Sequence, residues 1–141
     1  MAETPAVTAS EAEEILANQP FSRLIGVEVG EVGYGHATLR IPLREELLQQ
    51  FGTVHGGVLS YAADNALAFA GGTILGPHVL TRGFSIDFLR PSNGDHLRAY
   101  AEVINHTSRN ALTRCEVFTV GDDGTEVLVA AAQGSIARID R

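Results

Sequence analysis

The sequence predicts an α+β fold: one long, buried helix packed against a curved antiparallel sheet of five to six strands. Three observations lead there. First, residues 55–76 carry only one formal charge, Asp64, and no proline, while Val58, Leu59, Ala62, Ala66, Phe69 and Ala70 recur at helical spacing. The remaining faces of that stretch are alanine, serine, tyrosine and glycine, and a helix without a strongly polar side is a buried helix. Second, six runs have strand character, two before that helix and four after it, and short turns join the runs within each group, the signature of an antiparallel sheet. Third, an antiparallel sheet has one face to bury. A single apolar helix lying in the hollow of a curved sheet is the simplest way to bury it.

The elements follow in order. Residues 1–9 read as a loose tail, and 10–141 as one domain, which 141 residues can support with a sizeable core. "SEAEEILANQ" opens with Ser10 and carries Glu13 three residues on, a capping-box pattern that predicts a short helix ended by Pro20. "IGVEVGEVGYGHATLRIPL" predicts two strands joined near Gly33–Gly35. In the second, His36, Thr38 and Arg40 alternate with Ala37, Leu39 and Ile41, giving one polar face. "REELLQQFGT" is a loop or single helical turn, and the long helix follows. Four strand-like runs come last, near 78–90, 97–106, 110–120 and 125–139, with "SNGD" and "GDDG" as turns. Alternation in "VLTRGFSIDFLRP" places Leu80, Phe84, Ile86 and Phe88 on one face, and Thr81, Gly83, Ser85 and Asp87 on the other.

Composition excludes several classes. A net charge of −7 argues against a nucleic-acid binder. One cysteine, Cys115, cannot form an intrachain disulfide and sits in a strand-like run as a small core residue. The acidic start "MAETPAVTASEAEE" lacks a secretory pattern, and no apolar run nears the ~20 residues that span a bilayer. A cytoplasmic protein with no membrane contact is expected. There is no G-x-S-x-G elbow, P-loop or dinucleotide fingerprint, and the five histidines have no ligand spacing, so neither a metal nor a bound cofactor is expected.

"FGTVHGGVLSYAADNALAFA" resembles the core signature of the hotdog-fold acyl-CoA thioesterases, the PaaI-like and 4-hydroxybenzoyl-CoA thioesterase group. Gly52 stands three before His55, His55-Gly56-Gly57 opens the helix, and Asp64 follows nine after the histidine. "LTRGFSIDFLRP" is similar to the family's third strand with its terminal Arg-Pro. The resemblance covers about residues 20–139 and implies the hotdog fold, with thioester hydrolysis as the activity and coenzyme A entering only as part of the substrate. The chain mixes features of the two branches. Gln49 stands where many PaaI-like members carry Asn, and Asp64 where the branch with Gln generally has Glu, so the acyl group does not carry over.

The chemistry gives each residue a role. A helix N-terminus presents free N–H groups and partial positive charge, so the Gly56 N–H is the expected oxyanion donor, with His55 and Gly57 beside it. A charge on an apolar helix is costly unless it serves a polar space. Asp64 is therefore the expected general base, or a nucleophile that forms a mixed anhydride. Gln49 is placed to meet the acyl carbonyl or orient water. The resemblance implies that Thr81 helps to place the water near the acid, and that Arg90 and Arg109 meet the nucleotide of coenzyme A. Asn65 and Ala68, with Ser60 and Tyr61, are expected to line the pocket or a helix interface.

Spacing adds one constraint. Gly56 and Asp64 stand about 12 Å apart along a single helix, too far to serve one thioester carbon. If they cooperate, two antiparallel copies must each lend one group, which predicts a symmetric dimer with two shared sites. Members of the resembled family are built in this way, their sheets paired edge to edge, and many are dimers of dimers. Two other functions fit the fold: a hydratase or dehydratase of acyl thioesters, whose motifs are absent, and a non-catalytic acyl-thioester binder, which could dispense with Asp64.

Overall fold

The computed structural model describes residues 3–139. Two short helices, α1 (Ala9–Ala17) and α2 (Pro20–Ile25), precede strands β1 (Glu28–Gly33) and β2 (His36–Pro42). A 3₁₀ turn at Glu45–Leu47 leads to the long helix α3 (Gly56–Leu75). Strands β3 (Val79–Phe88), β4 (His96–His106), β5 (Asn110–Val120) and β6 (Glu126–Arg138) complete the chain. The six strands form one antiparallel sheet in the order β1-β2-β4-β5-β6-β3. The sheet curves around α3, which packs on all six strands and most lightly on β1, as expected of the hotdog arrangement.

Small side chains let α3 settle into the sheet. Ala62, Ala63, Ala66 and Ala70 are fully buried, and a Cβ at Gly71 would come within 2.9 Å of Ile136 on β6. Thr73, also fully buried, ties neighbouring segments to the helix. Its hydroxyl donates to the Ala70 carbonyl and accepts from the Gly35 N–H in the β1–β2 turn. Its carbonyl accepts from the Ala6 N–H.

Three details correct the sequence expectations. The cap of α1 is Thr8, not Ser10, with Glu11 closing the box in place of Glu13. Both triplets fit the capping pattern; the earlier one prevails because Val7, just before it, is buried, so the chain is already packed there. Residues 6–9 thus belong to the packed body and not to a tail. Pro20 does not merely end a helix: it occupies the first turn of α2, where its missing N–H costs nothing. On β3, a bulge between Thr81 and Gly83 makes Arg82 the extra residue. Alternation breaks there, so Thr81 faces the helix together with Phe84 and Ile86, while Leu80 is 60% exposed.

Candidate active site

The site forms at the amino-terminal half of α3. The chain enters through a turn that Gln49 holds together. Its side-chain amide donates to Thr53 Oγ1 at 2.7 Å, its side-chain oxygen accepts from the Phe51 N–H, and its backbone N–H meets the Thr53 carbonyl. Gly52 takes the left-handed conformation (φ 83°) that closes this turn, and its carbonyl accepts from Asn93 in the β3–β4 connection. Gln49 therefore braces the approach to the helix, with both ends of its amide engaged within its own turn.

His55 is the N-cap of α3. Its Nδ1 accepts from the Gly57 N–H at 2.8 Å, which places the ring proton on Nε2. The Val58 and Leu59 N–H groups both reach the His55 carbonyl. Among the described residues no acceptor meets the Gly56 N–H. Of the first-turn donors that a helix leaves over, it alone stays available. The Phe88 ring flanks it, 3.4 Å from where a Gly56 Cβ would stand.

Two helical turns on, Asp64 lies on the half-exposed stripe of α3 that also carries Ser60, Tyr61, Asn65 and Ala68. Thr81 donates its hydroxyl to Asp64 Oδ1 at 2.7 Å. This contact depends on the β3 bulge, which turns Thr81 toward the helix. One carboxylate oxygen is thereby fixed, and among the described residues the other makes no hydrogen bond. Gly56 and Asp64 belong to one helix, so their separation along it stays at about 12 Å.

Beside the acid runs a polar chain. Ser22, buried on α2, donates to Gln19 Oε1 at 2.5 Å, so the Tyr61 hydroxyl, 2.7 Å away, donates to Ser22. Burial drives the Tyr61 phenol above its ordinary pKa, and the Asp64 charge adds to the rise. Phe21 packs edge-on against the same ring, at 5.4 Å between centroids. This link between α2 and α3 escaped the sequence, because a serine in a six-residue helix carries no periodic signal.

The arginines separate by partner. Arg114 is paired with Glu102. Arg90 is exposed just past β3, and Arg109 lies in the β4–β5 turn, where its carbonyl accepts from the Arg138 N–H. Sequence reasoning missed Arg82. As the extra residue of the bulge it lines an open groove of about 680 Å³ together with His106, Asn105, Thr107 and Asn110. Gly83 was the available signal, since glycine inside a strand often marks a bulge.

Residues 51–126, which span the helix start, the acid and the strands behind them, match the family model of the thioesterase superfamily. The chain belongs to that superfamily. Acyl-coenzyme A thioesterase PaaI of Escherichia coli is 27% identical over 107 residues, covering 75% of this chain and 76% of its own length. The phenylacetic acid degradation protein PaaI of Thermus thermophilus is 32% identical, with a TM-score of 0.74 over 86% of this chain and all of its own. A thioesterase family protein of Silicibacter pomeroyi, 24% identical, superposes with a TM-score of 0.87 over 94% of this chain and 98% of its own, which supports the fold. The hotdog architecture and the PaaI-like assignment stand on these matches, and thioester hydrolysis is the reaction class they support. Among the described residues no helix is long and apolar enough to cross a membrane.

Proposed function

We propose that the protein hydrolyses an acyl-CoA or aroyl-CoA thioester to the free acid and coenzyme A, at a site shared by two antiparallel copies of α3. One copy supplies the Gly56 N–H, the other Asp64. The observation that carries this is the pair of unspent groups on one helix: an N–H without an acceptor at its start and a half-exposed carboxylate, fixed through one oxygen by Thr81, two turns later.

The thioester carbonyl oxygen sits against the Gly56 N–H, where the partial positive end of the helix favours the charge that develops on it. Asp64 acts in one of two ways. As general base it takes a proton from water while the water oxygen bonds to the carbonyl carbon. As nucleophile it bonds to that carbon itself, and water later cleaves the anhydride. In either route the C–S bond breaks and the thiolate of coenzyme A leaves and is protonated. His55 and Gln49 hold the entrance loop and helix start in place, and Thr81 holds the acid. The groove beside Arg82 and His106, with Arg109 in the adjoining turn and Arg90 at the end of β3, offers positive charge to the nucleotide phosphates.

The test is thiol release from short, medium, long and aromatic acyl-CoAs, for the native protein and Asp64→Asn. The native protein should turn over at least one of them, and Asp64→Asn should lose at least 100-fold in kcat with its fold intact by circular dichroism. Undiminished turnover by Asp64→Asn, or none by the native protein, would end the proposal.

A further inference from the structure

We infer that the acyl group lies in a half-open cavity of about 100 Å³ between α3, the start of β3 and the amino-terminal segment, and that this cavity selects short linear acyl chains. The inference rests on the thioesterase reading above and names its substrate class. Ala68 follows Asp64 by one helical turn on the same face, and Val79 precedes Thr81 by two positions on β3. Both line the cavity, which therefore begins about 5–6 Å beyond the Asp64–Thr81 hydrogen bond. That is where the chain attached to a reacting carbonyl would run.

The glycines decide between a ligand space and a packing defect. Gly71 is dictated by packing, because a Cβ there would collide with Ile136. Its neighbour Gly72, which lines the cavity, is not. A Cβ at Gly72 would meet its nearest atoms, methyls of Val7 and Val79, at 3.8 Å, an ordinary contact. Glycine inside a helix is a poor choice against alanine, and nothing in the packing asks for it. Its effect is to keep volume open. The walls around it, Val7 and Ile15 from the amino-terminal segment and Val79 from β3, are apolar. Of the two amides that also line the space, Gln19 accepts from Ser22 through its side-chain oxygen, and Asn65 stands beside Tyr61.

Size sets the class of chain. A dry apolar cavity of about 150 Å³ is what holds a benzene ring. About 100 Å³ accommodates roughly three or four aliphatic carbons and no ring.

The experiment measures affinity for non-hydrolysable S-alkyl-CoA thioethers, from ethyl to dodecyl plus benzyl, alongside kcat/KM for the matching acyl-CoAs. Affinity should rise about fourfold per methylene for the first three or four carbons and then level off or fall. Gly72→Ala should lower affinity about fourfold for the best chain, and Ala68→Leu should move the limit shorter by at least two carbons. Ile15→Ala should move it longer. Gly72→Ala adds a helix-favouring residue without a clash, so its melting temperature should hold, and a changed profile cannot then be laid to unfolding. Identical chain-length profiles in the native protein and all three variants would overturn the cavity while leaving hydrolysis and its dependence on Asp64 untouched. Equal affinity for benzyl and butyl thioethers would also overturn it. If no thioether binds and no acyl-CoA is cleaved, both proposals fall together.

Discussion

Removing the Gly56 N–H alone tests the shared site most directly, and the fold permits it. Gly56 is the first residue of α3, the one helical position where proline is favoured. The preceding residue, His55, already has the extended backbone (ψ 135°) that a following proline requires. A Cβ at this position meets only the Phe88 ring, at 3.4 Å. Gly56→Pro should therefore fold with a melting temperature within a few degrees of the native value, yet lose about 10²–10³ in kcat, the usual effect of deleting one oxyanion donor. Asp64→Asn should fail independently. Because about 12 Å separates the two groups on one helix, mixed dimers that pair Gly56→Pro with Asp64→Asn carry one doubly damaged site and one wholly native site. Co-expression with two affinity tags and tandem purification isolates such dimers, and thiol release should recover to about half the native rate. Gly56→Pro within tenfold of native activity would remove Gly56 from the chemistry. Mixed dimers no more active than either parent would mean that each chain works with its own groups.

Other expectations follow from single contacts. Thr81→Val removes the hydroxyl that fixes Asp64 and keeps the side chain's shape; kcat should fall about 5- to 30-fold, equivalent to about 1–2 kcal/mol, with KM little changed and Thr81→Ser largely restoring it. Cys115 is buried, and desolvation with the nearby Glu116 charge pushes its thiol up to about 12, so thiol reagents at pH 8 should label it only after denaturant unfolds the chain. Arg98 holds the Glu126 carboxyl below its ordinary range through paired hydrogen bonds. A lowered folded-state value means stability present above the unfolded pKa and lost as pH falls through the folded one. The pair is largely exposed, so the loss between pH 5 and 3 should be only a few tenths of a kcal/mol by urea titration, and Glu126→Gln should abolish that increment.

What the sequence made legible was periodicity. The charge-poor stretch 55–76 announced α3 because no polar face interrupts it, and alternation in 36–41 announced β2, where Ala37, Leu39 and Ile41 are indeed buried. Asp64 stood out as the lone charge on an apolar helix, and its hydrogen bond to Thr81 joins two residues singled out separately. What stayed hidden were departures from periodicity. The bulge at Arg82 puts Thr81 on the same face as Phe84 and Ile86, and strict alternation cannot anticipate an extra residue. Gln49 was singled out by its position before His55, but which partners a loop amide chooses depends on the closure of residues 49–53 in space. The cavity against α1 joins segments more than fifty residues apart, and Gly72 reveals its spare room only once Val7 and Val79 are placed around it.

The edge of the sheet points to the same pairing as the chemistry. β3 ends the strand order and leaves one side of a ten-residue strand without a neighbour among the described residues. A protein that works alone blunts such an edge with charge, proline or cover. β3 carries charge at Arg82 and Asp87 and a bulge at Arg82, yet Leu80 and Phe88 remain 60% and 53% exposed. Phe88 is also the ring beside the Gly56 N–H, and Leu89 and Phe51, both exposed, extend the apolar rim around the helix start. A twofold partner joined along β3 would cover this rim and bring a second α3 alongside, with its Asp64 stripe facing the unspent N–H of the first. The bulge then serves both ends: it aims Thr81 at the acid from the inner face, and it lifts Arg82 to the outer face beside the open groove.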